Sequence, residues 1–260
     1  MEEKCQKIYV VWQDLKSRSH FPVGELSYIH SGHEEYRFNY ICGVIEAQKV
    51  GFQAFPGFPE FDETYVSADL FPFFQNRILL HTREEYETFV TSLGLSPHDA
   101  KPIDILARSG GRRVTDSIEM FAPAKIIEIG DADFNVAQYY FLLHGLSHMR
   151  QCAQSLVADC VKADDQLFIM YDMQNPVDSK ALSLRTIDYC SIGFIPRYLL
   201  DDMWNLIHKK TDLKFYIFKV NKPPSPIQQR IICRLNAKVE KDFVACCSYV
   251  YKQYKDLVKI

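Results

Sequence analysis

Residues 174–198 decide the reading of this chain: Gln174-Asn175-Pro176-Val177-Asp178, then Ala181-Leu182-Ser183-Leu184, then Ile192-Gly193-Phe194-Ile195-Pro196-Arg197-Tyr198. The first piece is a turn, because Asn and Asp side chains can accept hydrogen bonds from nearby backbone amides and Pro presets its own φ. The second and third are short apolar runs of strand length, predicted at Ala181–Thr186 and Ser191–Ile195. Gly193 allows a close backbone approach or an unusual dihedral. Pro196 suits a first helical turn, and Leu200, Met203, Trp204 and Ile207 then share one helix face. The free amides of that helix start, reinforced by Arg197, suit an anion.

Strand signals continue on both sides, at Gln138–His144, Gln166–Tyr171, Leu213–Val220 and Arg230–Asn236. Pro223-Pro224-Ser225-Pro226 reads as a stiff exposed turn between the last two. The aperiodic Glu128-Ile129-Gly130-Asp131-Ala132-Asp133 marks a boundary, giving domains of 1–128 and 135–260. In the first domain, Ile8–Trp12, Val23–Tyr28 and Tyr36–Tyr40 read as a small antiparallel meander. A loop of Gly, Pro and Phe follows over 51–59. Helices are predicted from Pro72 through Leu80, from a Thr82-Arg83-Glu84-Glu85 capping box to Gly94, and from Pro102 to Gly110-Gly111. The fold class is α+β, with the first sheet and its helices separate from a strand-rich second half.

Net charge is −3, unevenly spread. Residues 1–128 carry 13 basic against 19 acidic side chains, whereas 197–260 carry 13 against 6. A positive field attracts phosphate. The eight cysteines show no C-x-x-C spacing, and several sit in apolar runs as small hydrophobes. Met1-Glu2-Glu3-Lys4 begins no signal peptide, and no apolar run has the ~20 residues that cross a bilayer. The expectation is a cytoplasmic protein with no membrane contact.

Catalytic signatures are missing. There is no G-x-x-x-x-G-K-[ST], G-x-G-x-x-G, G-x-S-x-G or H-E-x-x-H. Gly110-Gly111-Arg112-Arg113 reads as a helix-ending turn in preference to a phosphate loop. His144, His148 and Cys152 would share a face only on a helix, and Tyr139–Leu143 argues for a strand. Asp164-Asp165 and Asp201-Asp202 read as solvated charges. The expectation is a protein that is not an enzyme, with no cofactor and no metal.

The ordered pieces between Phe141 and Tyr198 resemble a HIRAN domain, over roughly residues 138–237. Phe141-Leu142-Leu143-His144-Gly145-Leu146 matches that family's opening strand, 174–178 its Asn-Pro-x-Asp turn, and 192–198 its strand end and helix start. The resemblance implies a small β-barrel related in shape to OB-folds, and binding of DNA, in one setting the 3′-hydroxyl end of a single strand. Asn175, Asp178 and Arg197 are kept; Ser147-His148-Met149 stand where the family has an Arg and aromatics, with Arg150 adjacent. His148 suits base stacking. The nucleic-acid-binding set is therefore His148, Arg150, Asn175, Asp178, Gly193 and Arg197, with Lys209, Lys210, Lys214 and Lys222 for phosphate attraction.

Val23–Leu26, Tyr36–Tyr40, Leu70–Leu79 and Ile105–Ala107 follow the order of the N-terminal subdomain of HipA-type toxin kinases. That resemblance, over about residues 8–122, implies an accessory domain without ATP binding. The whole arrangement is similar to small bacterial proteins described by their HIRAN domain. The leading expectation is a non-catalytic binder of single-stranded DNA or DNA ends, with a partner protein on the acidic first domain. The alternatives are a regulator that binds a partner such as a toxin kinase, with the HIRAN-like half as scaffold, and a metal-dependent nuclease.

Overall fold

The computed structural model describes residues 4–130, 132–223 and 225–258. Asp131 of the boundary segment and Pro224 of the proline turn lie outside the described residues, as do Met1, Glu2 and Glu3. The described chain divides into two compact units, one of 4–91, 95–123 and 246–258, the other of 92–94 and 124–245. The chain thus leaves the first unit near the expected boundary, but its end returns there. Over 92–94 and 124–245 the sequence holds 15 basic against 14 acidic residues, so the second unit is nearly neutral as a whole.

The first unit begins with β1 (Lys4–Gln13), β2 (His20–His30) and β3 (Glu34–Tyr40), the expected meander. Helix α1 (Val44–Lys49), β4 (Thr64–Ser67), the short α2 (Pro72–Gln75), α3 (Tyr86–Ser92), α4 (Pro102–Ser109) and β5 (Ile118–Phe121) follow. The sheet is antiparallel in the order β4-β3-β2-β1-β5. Its core is aromatic: Phe38 and Tyr40 of β3 meet Phe52, Phe55 and Phe58 of the Phe/Pro loop, all buried. The Tyr40 hydroxyl ties the loop down, donating to the Phe58 carbonyl at 2.8 Å and accepting from the Phe55 amide at 2.7 Å. After β3 the end of the chain docks, with Cys42 N–H donating to the Lys252 carbonyl at 2.8 Å and Tyr254 N–H to the Tyr40 carbonyl at 3.0 Å.

Two helix readings shorten. The helix from Pro72 stops at Gln75, where Arg77 is held by the Gly111 carbonyl at 3.0 Å and by Asp116 at 2.6 Å. The Thr82 capping box is not used, since 82–85 form turns and α3 starts at Tyr86. Helix α4 ends as expected, with Gly110 at φ 76° closing it.

The second unit runs β6 (Lys125–Glu128), β7 (Phe134–Leu142), a 3-10 turn (Leu146–His148), α5 (Gln151–Asp159), β8 (Gln166–Tyr171), β9 (Leu182–Arg185) and β10 (Ser191–Phe194). A 3-10 turn at Arg197–Leu199 leads into α6 (Leu200–His208), followed by β11 (Leu213–Val220) and β12 (Ile231–Glu240). The chain finishes, back in the first unit, with α7 (Lys255–Val258). The stretch just before the boundary segment is thus a strand, β6, paired with β7.

The second sheet is antiparallel, ordered β10-β9-β8-β11-β12-β7-β6. Among the described residues no continuous ladder closes it into a barrel. One isolated bridge does join its two sides: beyond β7, His144 exchanges two backbone hydrogen bonds with Phe194 of β10, at 3.0 and 2.8 Å. Gly193 makes that approach possible, since a Cβ there would lie 2.6 Å from the His144 carbonyl oxygen and 2.7 Å from the Leu143 side chain. The core side of α6 is Leu200, Met203 and Leu206, with Trp204 only half-buried. Asp202, read above as solvated, is buried and accepts a 2.9 Å hydrogen bond from the Tyr139 hydroxyl of β7.

Candidate nucleic-acid interface

The turn that decided the reading is built as its residues dictate. Asn175 Oδ1 accepts from the amides of Val177 (3.0 Å) and Asp178 (3.1 Å), while its Nδ2 donates to Asp172 at 2.8 Å. Asp178 Oδ1 accepts from the Lys180 amide at 3.0 Å. These bonds satisfy the backbone of the loop between β8 and β9 without a ladder.

Two side chains from the α6 segment then clamp this loop. Arg197 Nε lies 3.0 Å from Asp178 Oδ2, and its Nη2 donates to the Val177 carbonyl at 2.8 Å. Seven residues later, about two helical turns on, Trp204 Nε1 donates to the Lys180 carbonyl at 3.0 Å. The loop is therefore held at its middle and at its end. Asn175, Asp178 and Arg197 come together as one cluster, in which much of Arg197's hydrogen-bonding capacity serves the loop.

The other expected residues stand elsewhere on the unit. His148 ends the 3-10 turn after Gly145, and Arg150 precedes α5; both are exposed. Gly193 is buried against His144 and Leu143, where it serves the close backbone approach. Lys209 and Lys210 are exposed at the end of α6, with Lys209 2.9 Å from Glu240. Lys214 lies 3.5 Å from Asp212. Among the described residues no group of three or more His, Cys, Asp and Glu is placed to hold a metal; His144 lies beyond β7, His148 in the 3-10 turn and Cys152 in α5, so the three do not share one helix. No described helix is long and apolar enough to cross a membrane.

Sequence reasoning missed an aromatic stack. The Tyr171 and Trp204 rings lie 5.3 Å apart at 17°, and His208, one turn along α6, lies 5.6 Å from Trp204. Tyr171 is 53% exposed, and Met173 and Val177 of the clamped loop are exposed as well. The signal was present as Trp204 and His208 at i, i+4, but Trp204 also fits the apolar helix face and was absorbed there. A second aromatic contact caps the β9–β10 hairpin: the Arg185 guanidinium lies 4.7 Å from the Phe168 ring and 4.4 Å from that of Tyr189.

No family model matches the chain, and no curated protein does. Two solved structures are similar to 40% of it. One is a protein from Lactobacillus plantarum, 15% identical, TM-score 0.32, with 99% of its own chain covered. The other is the HIRAN domain of human HLTF, 10% identical, TM-score 0.31, with 77% covered.

Proposed function

We propose that the second unit is a non-catalytic binder of nucleic acid, directed at single strands or strand ends. The observation that carries the reading is the two-point clamp: Arg197 and Trp204 fix the 172–181 loop on α6, beside exposed aromatic and basic side chains. A surface ordered before binding loses little entropy when a ligand docks. A unit of nearly balanced charge does not attract phosphate at long range, so affinity must come from local contacts. In this reading His148, Arg150 and Lys210 contact the strand, while Asn175, Asp178 and Arg197 shape and hold the loop. The resemblance of 138–237 to a HIRAN domain points to the same ligand class, and an OB-like barrel is the shape it implies.

The test is fluorescence anisotropy with a labelled single strand ending in a 3′-hydroxyl, the same strand with a 3′-phosphate, and a duplex, across a salt series. Preference for the 3′-hydroxyl strand, weakened in Arg197→Ala and Arg150→Ala, supports end recognition. Equal binding to all three leaves a general binder. No binding at low salt removes the nucleic-acid reading and favours a protein partner.

A further inference from the structure

We infer that Tyr171 and Trp204 form a stacking platform for an unpaired base, with the cations at the end of α6 meeting the strand's phosphates. The inference rests on the nucleic-acid reading above and names a subsite within it. Neither ring is needed to fill the core, because α6 buries Leu200, Met203 and Leu206 there instead. The two rings are nearly parallel and one of them is half open to solvent. An exposed pair of that geometry offers a further planar group a ready place on the stack, since every base has a π-face.

The platform is fixed before any ligand arrives. The indole N–H is committed to the Lys180 carbonyl at 3.0 Å, which sets the ring's orientation, and His208 packs beside it. The loop that carries Lys180 is itself locked by Asn175, Asp178 and Arg197. This gives those turn residues a purpose that does not require them to touch the ligand.

Charge favours a nucleic acid over an apolar peptide as the occupant. Lys180 and Lys210 are exposed at the stack's two supports, the loop end and the helix end, while Lys209 pairs with Glu240. Cations at a helix C-terminus are also favoured by the helix dipole. Base stacking on an aromatic tolerates any sequence, so the platform predicts affinity for unpaired strands with little base preference.

The protein contains two tryptophans, Trp12 and Trp204, so Trp12→Phe leaves Trp204 as the sole indole reporter. This protein is titrated with oligothymidylate, with an abasic strand of equal length, and with a duplex. Two readouts are taken together: Trp204 emission, and anisotropy of the labelled strand. The expected result is strong quenching by oligothymidylate and little by the abasic strand or the duplex. Tyr171→Ala should fold normally, lose most of the quenching and bind oligothymidylate roughly five- to a hundredfold more weakly, the range of one base stack. If oligothymidylate binds by anisotropy while Trp204 emission and the Tyr171→Ala affinity stay unchanged, the platform is overturned and the nucleic-acid reading stands. If no strand binds, both fall.

Discussion

Each unit has its aromatic cluster, and the two are opposite in kind. In the first unit Phe38, Tyr40, Phe52, Phe55 and Phe58 are sealed from solvent, in tilted, edge-on and stacked contacts, with the one polar handle, the Tyr40 hydroxyl, fully used. In the second, Tyr171 and Trp204 stack in the open, and the indole N–H is spent on holding a loop. Burial of large rings is a stability argument. Aromatic surface left exposed but held rigid is a binding argument.

The comparison breaks most visibly under truncation. Phe38→Ala should cost about 3–5 kcal/mol and unfold the first unit or lower its melting temperature steeply. Tyr171→Ala, at a half-open surface, should cost about 0.5 kcal/mol or less. Thermal denaturation followed by circular dichroism measures both. Equal losses would mean that the Tyr171 stack is core.

Next comes the isolated bridge between His144 and Phe194. Gly193→Ala places a methyl within 2.6 Å of the His144 carbonyl oxygen, so the backbone must shift, at about 1–3 kcal/mol. Loss of hydrogen-exchange protection at the His144 and Phe194 amides is the specific sign. Retained protection would show that the approach has slack.

Alkaline pH tests the buried tyrosines of the first unit. Burial, with Glu34 nearby, pushes Tyr28 and Tyr36 in the first unit up to about 12 from the usual 10. A group whose folded pKa is raised contributes stability that is complete below its unfolded value and is lost as pH rises through the folded one. Stability of the first unit should therefore hold to about pH 10 and fall towards pH 12, as read by denaturant midpoints at each pH. A flat profile there would remove these tyrosines from the account.

A small effect of the opposite sign concerns Tyr189, at φ 61° on the β9–β10 hairpin and 80% exposed. A non-glycine residue in that conformation costs about 1 kcal/mol, and the contact with Arg185 returns part of it. Tyr189→Gly should thus change stability by less than about 1 kcal/mol, in the stabilising direction. Marked destabilisation would show that the cation–ring contact dominates.

By itself the sequence determined what local chemistry controls. The Asn175–Asp178 turn, the Gly110 helix end and the strands at Leu213–Val220 and Gln166–Tyr171 were legible because their signals lie within a few residues. The small spacing demanded by Gly193 was legible too, though not what it faced. Only the tertiary structure decided the rest. Helix period placed Trp204 on the apolar face, but packing filled that face with Leu206, because a helix stripe is wider than the contact it makes. Asp202 gives no local sign that Tyr139, far along the chain, will bury and satisfy it. The basic excess after Arg197 is offset because 124–196, with 5 basic against 9 acidic residues, fold into the same unit, and charge acts through space, not along the sequence. The pairing of Tyr171 with Trp204 joins a strand end to a helix, and no periodicity within either could reveal it.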